Sequence, residues 1–238
     1  MTESVRRRLI RRLWYLPVLA LLFGAALLLP GEVLPTSAPP EEATLILDAG
    51  HGGADGGAVA SDGTKESEIN LDIALRANAI AAFWGIPTRM TRTSETISYP
   101  VEAQTISAMK KADQQQRLAL LHETPNAILI SIHQNYYPAS SPNGIQVFYA
   151  ASEESKRLGE LTQQNLTGCL APENHRIAEP IRDSIYLMKN AGCTAILAEC
   201  GFLSNPEELR ELKSPEYRLS LAAVLIASYL QYTRGMDT

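Results

Sequence analysis

The chain has 238 residues, 45% of them hydrophobic, and a formal net charge of −5. That length suits one ordinary domain with additions, and a domain of this size can bury a sizeable core. The negative balance excludes a nucleic-acid binder that works by neutralising phosphates, so no nucleic-acid partner is expected.

Five arginines, Arg6, Arg7, Arg8, Arg11 and Arg12, crowd the amino terminus, and no acidic residue follows them until Glu32. Residues 13–31, "LWYLPVLALLFGAALLLPG", carry no charge. About 20 apolar residues cross a bilayer, so this run predicts a transmembrane helix. Arginines on its amino-terminal side put residues 1–12 in the cytoplasm and the rest of the chain outside. The run exceeds the ~7–15 residues of a signal-peptide core. The small-x-small site "TSA" at 36–38 is followed by Pro39 and Pro40, a poor place to cut. An uncleaved membrane anchor is therefore expected, with a secreted domain as the alternative if the segment is removed. Trp14 and Tyr15 suit the interfacial belt of such a helix. Residues 32–42 are proline-rich and read as a short, stiff linker, after which a folded domain is expected over 43–234.

Within that domain, residues 44–48 read as a short apolar strand. Ile69, Ile73, Ala77, Ile80 and Trp84 recur at helical spacing and predict a helix over 67–84. "IPTRMT" at 86–91 is strand-like, 113–123 helical, and "AILISI" at 127–132 a buried strand. "GIQVFYA" at 144–150 alternates as a strand does, 153–168 is helical, and "SIYLM" at 184–188 extended. "TAILAE" at 194–199 is another buried strand, and a last helix over 215–233 aligns Tyr217, Leu221, Val224, Ser228 and Tyr232. Helices alternating with continuously apolar strands predict an α/β fold, its sheet covered on both faces. Cys169, Cys193 and Cys200 are odd in number. The last two flank "TAILAE" and stand about 20 Å apart if it is a strand, too far for a disulfide. All three are expected as free thiols.

Open α/β sheets place their sites at the carboxyl ends of strands. The first strand ends at Asp48, and His51 follows in "GHGGADGG". "AILISI" runs directly into His133, "TAILA" into Glu199, and Glu66 opens the first helix. Two histidines and two glutamates thus converge on one edge. That set suits a catalytic zinc: three protein ligands, one open position, and a carboxylate beside the bound water. Plainer readings exist. A histidine after a strand is commonly a hydrogen-bonding loop residue, and Glu66 alone suits a helix amino terminus. Glu199 is harder to dismiss, because a carboxylate closing so apolar a run is costly to bury without a partner. The loop glycines serve either turn geometry or close approach of a substrate.

As a set, "LDAGHGGADGGA" (47–58), "ESEINL" (66–71), "MTR" (90–92), "SIHQN" (131–135) and "LAECGFLSNPEE" (197–208) resemble the zinc-dependent N-acetylmuramoyl-L-alanine amidases of the amidase-3 type. The resemblance runs from about Leu45 to Tyr232. It implies a twisted, mixed, mostly parallel sheet between helices. It implies one zinc per domain held by His51, Glu66 (rather than Glu68) and His133, with Glu199 as the catalytic glutamate. The implied substrate is a peptidoglycan glycan strand with its stem peptide, cut between N-acetylmuramic acid and L-alanine. Asp48 is expected to support the His51 loop rather than bind metal. Arg92 either meets a substrate carboxylate or forms a structural salt bridge; Arg117 reads as structural and His175 as surface.

His122 and Ala127 depart from residues common in the family, at positions that are not ligands. Cys200 stands beside the catalytic glutamate, and strand alternation turns it away from the metal. "GIQVFYA", "SIYLMKN", the short length, the membrane segment and an expected lack of a wall-binding module are most similar to the sporulation branch. That branch acts on spore-cortex peptidoglycan, which implies functional coupling to a muramic-acid deacetylase. The competing readings are a vegetative wall amidase, a zinc peptidase or deacetylase of the same polymer, a cysteine hydrolase using Cys200, and a non-catalytic wall-binding module.

Overall fold

The structure is a computed structural model that describes residues 43–182 and 185–235. The expected anchor and linker lie outside those residues, and among the described residues no helix is long and apolar enough to cross a membrane. In chain order the elements are β1 (Thr44–Ala49), α1 (Glu66–Phe83), β2 (Thr88–Met90), α2 (Ile106–His122), β3 (Ala127–Asn135) and β4 (Gln146–Tyr149). Then follow α3 (Glu153–Leu170), β5 (Glu179–Pro180), α4 (Tyr186–Asn190), β6 (Thr194–Phe202), α5 (Pro206–Lys213) and α6 (Pro215–Thr233).

The strands form one sheet in the order β2–β1–β3–β6–β4–β5. The first four run parallel, β4 pairs antiparallel with β6, and β5 parallel with β4, so the sheet is mixed and mostly parallel as expected. Continuous apolar runs make the central strands because both of their faces are covered. Leu45, Leu47, Ile130 and Ile196 pack with residues of α1, α3 and α6, whereas Ile46, Leu129 and Leu197 pack with residues of α2 and α4. Parallel register pairs Asp48 with Ser131 and His133 with Glu199. Side chains alternate along a strand, so all four point to the α2–α4 face, at the carboxyl ends.

Several elements differ from expectation. Helix α2 starts seven residues before the predicted 113, because Thr105 Oγ1 accepts from Ala108 N at 3.1 Å and caps turns that face solvent without an apolar pattern. "SIYLM" is not extended: from Tyr186 it forms the short helix α4, which buries Leu187 and Met188. A five-residue apolar run fits either period, and packing decides it. Trp84 does not join the buried face of α1 but lies past its end, 55% exposed. Helix α5 was not predicted, although Asn205 caps it through Oδ1 to Glu207 N and Glu208 N, with Pro206 at its first position.

Candidate active site

The first strand delivers Asp48, and the chain then turns sharply at His51, whose φ of 59° is left-handed. A non-glycine residue holds that conformation only when its surroundings impose it. Two buried arginines impose it here. Ala49 O accepts from Arg92 Nε at 2.9 Å and from Arg117 Nη1 at 2.8 Å. Gly50 O accepts from Arg92 Nη2 and Asn70 Nδ2, both at 3.1 Å, and His51 O from Arg117 Nη2 at 2.7 Å. Three successive carbonyls are thus gripped from below. The Arg117 charge is met by Asp48 and Asp113. Burial pushes the Asp48 carboxyl up, but Arg117, Ser131 and Thr91 outweigh it and hold the group below the usual carboxylate range. Asp48 thus neutralises the arginine that grips the loop carbonyls. Arg92 grips them too: its remaining bonds go to Ser67 O, Ser94 O and Glu95, and it does not line the cleft.

Above this floor the ligand candidates meet. His133 Nδ1 lies 2.9 Å from Glu66 Oε1, and His51 Nε2 lies 3.3 Å from Glu66 Oε2. One ligand atom from each of the three residues falls within 4.8 Å of the others. The imidazoles stand edge to face, 4.9 Å apart. Glu66 is fixed by backbone donors as well, Gln134 N on Oε1 at 3.1 Å and Ala58 N on Oε2 at 2.9 Å. Burial would raise its carboxyl, yet the two histidines hold it well below the usual range. His51 Nδ1 is oriented by Asp55 Oδ2 at 2.9 Å. Burial opposes the His51 charge, but Asp55 and Glu66 raise its pKa to about 9. Asp55 escaped the sequence reading; its signal was an acid four residues after a histidine.

The glycines around His51 have specific work. A Cβ on Gly50 would lie 2.3 Å from His133 Nε2, and one on Gly57 2.5 Å from Glu66 Oε2. Both leave room for the ligand set itself. A four-coordinate zinc with bonds near 2.1 Å brings its ligands together at roughly 3.4 Å. The spacing of these donors fits such an ion, and so does their chemistry of two imidazoles and one buried carboxylate.

Glu199 completes the site. It stands beside His133 across the β3–β6 pairing, and its Oε2 is buried without a hydrogen-bond partner. Burial pushes its carboxyl up to about 7, with the His133 charge opposing and the Glu66 charge reinforcing. It faces a cleft of about 480 Å³ whose floor includes His51, Glu66 and His133, with Tyr136 and Tyr186 also on its walls. Cys200 lies in the core on the other face of β6, where burial pushes its thiol up, so no thiol reaches the cleft. The three cysteines are free, as expected. His175 is exposed beside α3, outside the cleft.

A mostly parallel α/β sheet carries, at its carboxyl edge, two histidines and a buried glutamate that could hold a metal ion, with a second, unpartnered glutamate beside them. Residues 45–229 match the amidase-3 family, described as N-acetylmuramoyl-L-alanine amidase, and the chain belongs to that family of peptidoglycan hydrolases. The germination-specific N-acetylmuramoyl-L-alanine amidase of Bacillus subtilis is 34% identical over 199 residues, 83% of each chain. The LytC amidase of the same species is 28% identical over 80% of this chain, a match spanning 36% of LytC. Among solved structures, the CwlD amidase of Clostridioides difficile, determined in complex with the GerS lipoprotein, has a TM-score of 0.78 at 32% identity. That match covers 82% of this chain and 100% of the CwlD chain in that structure.

Proposed function

We propose that the chain is a zinc-dependent amidase that cuts the bond between N-acetylmuramic acid and L-alanine in spore-cortex peptidoglycan. The observation that carries the zinc reading is the convergence of His51, Glu66 and His133 within 4.8 Å, beside an unpartnered glutamate in a cleft. His51 Nε2, His133 Nδ1 and the Glu66 carboxylate would hold the ion. When bound, zinc supplies a Lewis acid that acidifies water and stabilises developing negative charge on the carbonyl oxygen. Glu199 takes a proton from the attacking water at its free Oε2. Water oxygen bonds to the lactyl carbonyl carbon. Glu199 then returns the proton to the alanine nitrogen as the carbon–nitrogen bond breaks, because an amine anion does not leave at neutral pH. Arg117, Arg92 and Asp55 keep His51 in place throughout.

Similarity to a germination-specific amidase supports the spore-cortex role, with functional coupling to a deacetylase that acts on the muramic acid laid bare. The uncharged run at 13–31 behind five arginines supports an anchored protein, its catalytic domain (43–234) outside the cytoplasm beyond the linker. Mass spectrometry of digested muropeptides tests the chemistry. The expected products are the whole stem peptide with a free L-alanine amine and an intact N-acetylmuramic acid. Cleavage inside the stem, or loss of acetyl groups, would assign the site to a peptidase or a deacetylase. Deletion of the gene is expected to remove muramic lactam from the cortex; unchanged lactam with an altered growing wall would move the enzyme to vegetative cells.

A further inference from the structure

Helix α1 begins at Glu66 in the active site and connects two parallel strands, so it runs against their direction. Its 18 residues span about 27 Å. Its last residue, Phe83, and the following Trp84 therefore lie at the opposite pole, by the amino ends of the strands. Phe83 is 84% exposed and Trp84 55%. Their rings touch edge to face at 5.9 Å, and Gly85 then turns the chain with open space around it. Ala43, the first described residue, lies at this same pole. Tyr229 Oη donates to Ala43 O at 3.0 Å, and Leu45 N donates to Pro87 O at 2.8 Å, just after the aromatic pair. No aspartate or glutamate occurs between Asp72 and Glu95, and Arg89, two residues after Pro87, is exposed.

We propose that Phe83 and Trp84 insert into the interfacial layer of the membrane outside the cytoplasm, a second lipid contact besides the anchor. The contact rests on the anchored state proposed above. Tryptophan and its aromatic neighbours favour the headgroup level, where a ring meets hydrocarbon and an N–H meets water. Large apolar side chains left open side by side mark a contact surface. An acid-free, arginine-bearing segment meets lipid phosphates without repulsion. The linker of 11 residues, 32–42, reaches at most roughly 35–40 Å, which confines the Ala43 pole to the neighbourhood of the bilayer. Docked this way, α1 becomes a strut that carries the cleft away from the lipid toward the wall polymer.

The sequence has two tryptophans, Trp14 and Trp84, so Trp14→Phe leaves Trp84 as the sole indole. The full-length variant is placed in phosphatidylcholine–phosphatidylglycerol vesicles carrying nitroxide either near the headgroup or deep in the acyl chain. Expected are blue-shifted emission, shielding from iodide, and quenching at least twofold stronger by the shallow label. Adding Phe83→Ser is expected to red-shift the emission and restore iodide quenching, while turnover of soluble muropeptides stays unchanged. Protein that floats with the vesicles but whose Trp84 is quenched by iodide as free indole is would overturn the lipid contact and leave the anchor standing. Protein that fails to float would remove the anchor and the contact together. Shielding from iodide and from both nitroxides, with cross-linked dimers, would give the pair to a second copy of the chain.

Discussion

Glu66 and Glu199 are the same residue type in opposite circumstances. The first accepts from backbone and histidine donors and stays ionised; the second has a bare oxygen and a pKa pushed up to about 7. In the proposed mechanism, two carboxyls driven apart by their surroundings would divide the labour between fixed charge and proton carrier. Glutamine keeps the shape of Glu199 but accepts no proton at neutral pH. Glu199→Gln is therefore expected to keep its fold and near-normal zinc while kcat falls by ~10²–10⁴. Zinc lost in parallel with activity would make Glu199 a ligand instead. His51 gives a stability test. Its pKa in the metal-free fold is raised from 6.5 to about 9. The stabilisation is complete below the unfolded value and disappears as pH rises through the folded one. The zinc-stripped protein should lose roughly 3 kcal/mol from this group between pH 6.5 and 9, read by urea unfolding at both ends. A flat stability across that window would mean that Asp55 and Glu66 do not hold the proton. Zinc must displace the same proton, so calorimetry below pH 9 in buffers of different ionisation enthalpy should show about one proton released by His51 per ion bound.

At the scale of the loop after β1, two glycines six positions apart make opposite forecasts. Gly50→Ala drives its Cβ into the His133 ring, whereas a Cβ on Gly56 meets Lys65 at an ordinary 3.5 Å. Gly50→Ala should fold, bind zinc at least 10-fold more weakly and lose activity, while Gly56→Ala should resemble the parent in metal content and rate. Equal zinc in both variants would show that the ligand rings are not held as tightly as the packing implies. The contrast bears on what the sequence disclosed. The central strands were legible because burial on both faces leaves continuous apolar runs. Asp48, His51, His133 and Glu199 were legible because a parallel sheet puts the ends of its strands together. The arginine clamp was only half legible. Arg92 and Arg117 stood out as charges, but backbone carbonyls leave no mark in a sequence, so the grip on residues 49–51 could not be read. Helix α4 was hidden by a run too short to show its period. Helix α5 had its signal in Asn205 and Pro206, which were read only as part of a motif.

At the scale of the whole molecule, the proposed membrane tether makes location a measurable property. Full-length protein is expected to sediment with membranes, to resist high-salt extraction, and to lose its catalytic domain to protease added outside. A soluble species beginning near Pro39 would mean that the segment is cut. The site also has a history in time. Its residues come from positions 51, 66, 133 and 199, gathered only when β1, β3 and β6 have paired in register. Pairings this distant in sequence form late in folding. The donor cluster thus cannot exist in a nascent or half-folded chain, and in the proposed enzyme zinc capture would follow folding rather than trigger it. Unlike a small domain that collapses when its metal is removed, this one should survive a chelator with its sheet intact and regain activity on adding zinc back. For the exported zinc enzyme proposed above, that ordering would set the moment of switch-on: activity would begin only once the folded domain had met zinc.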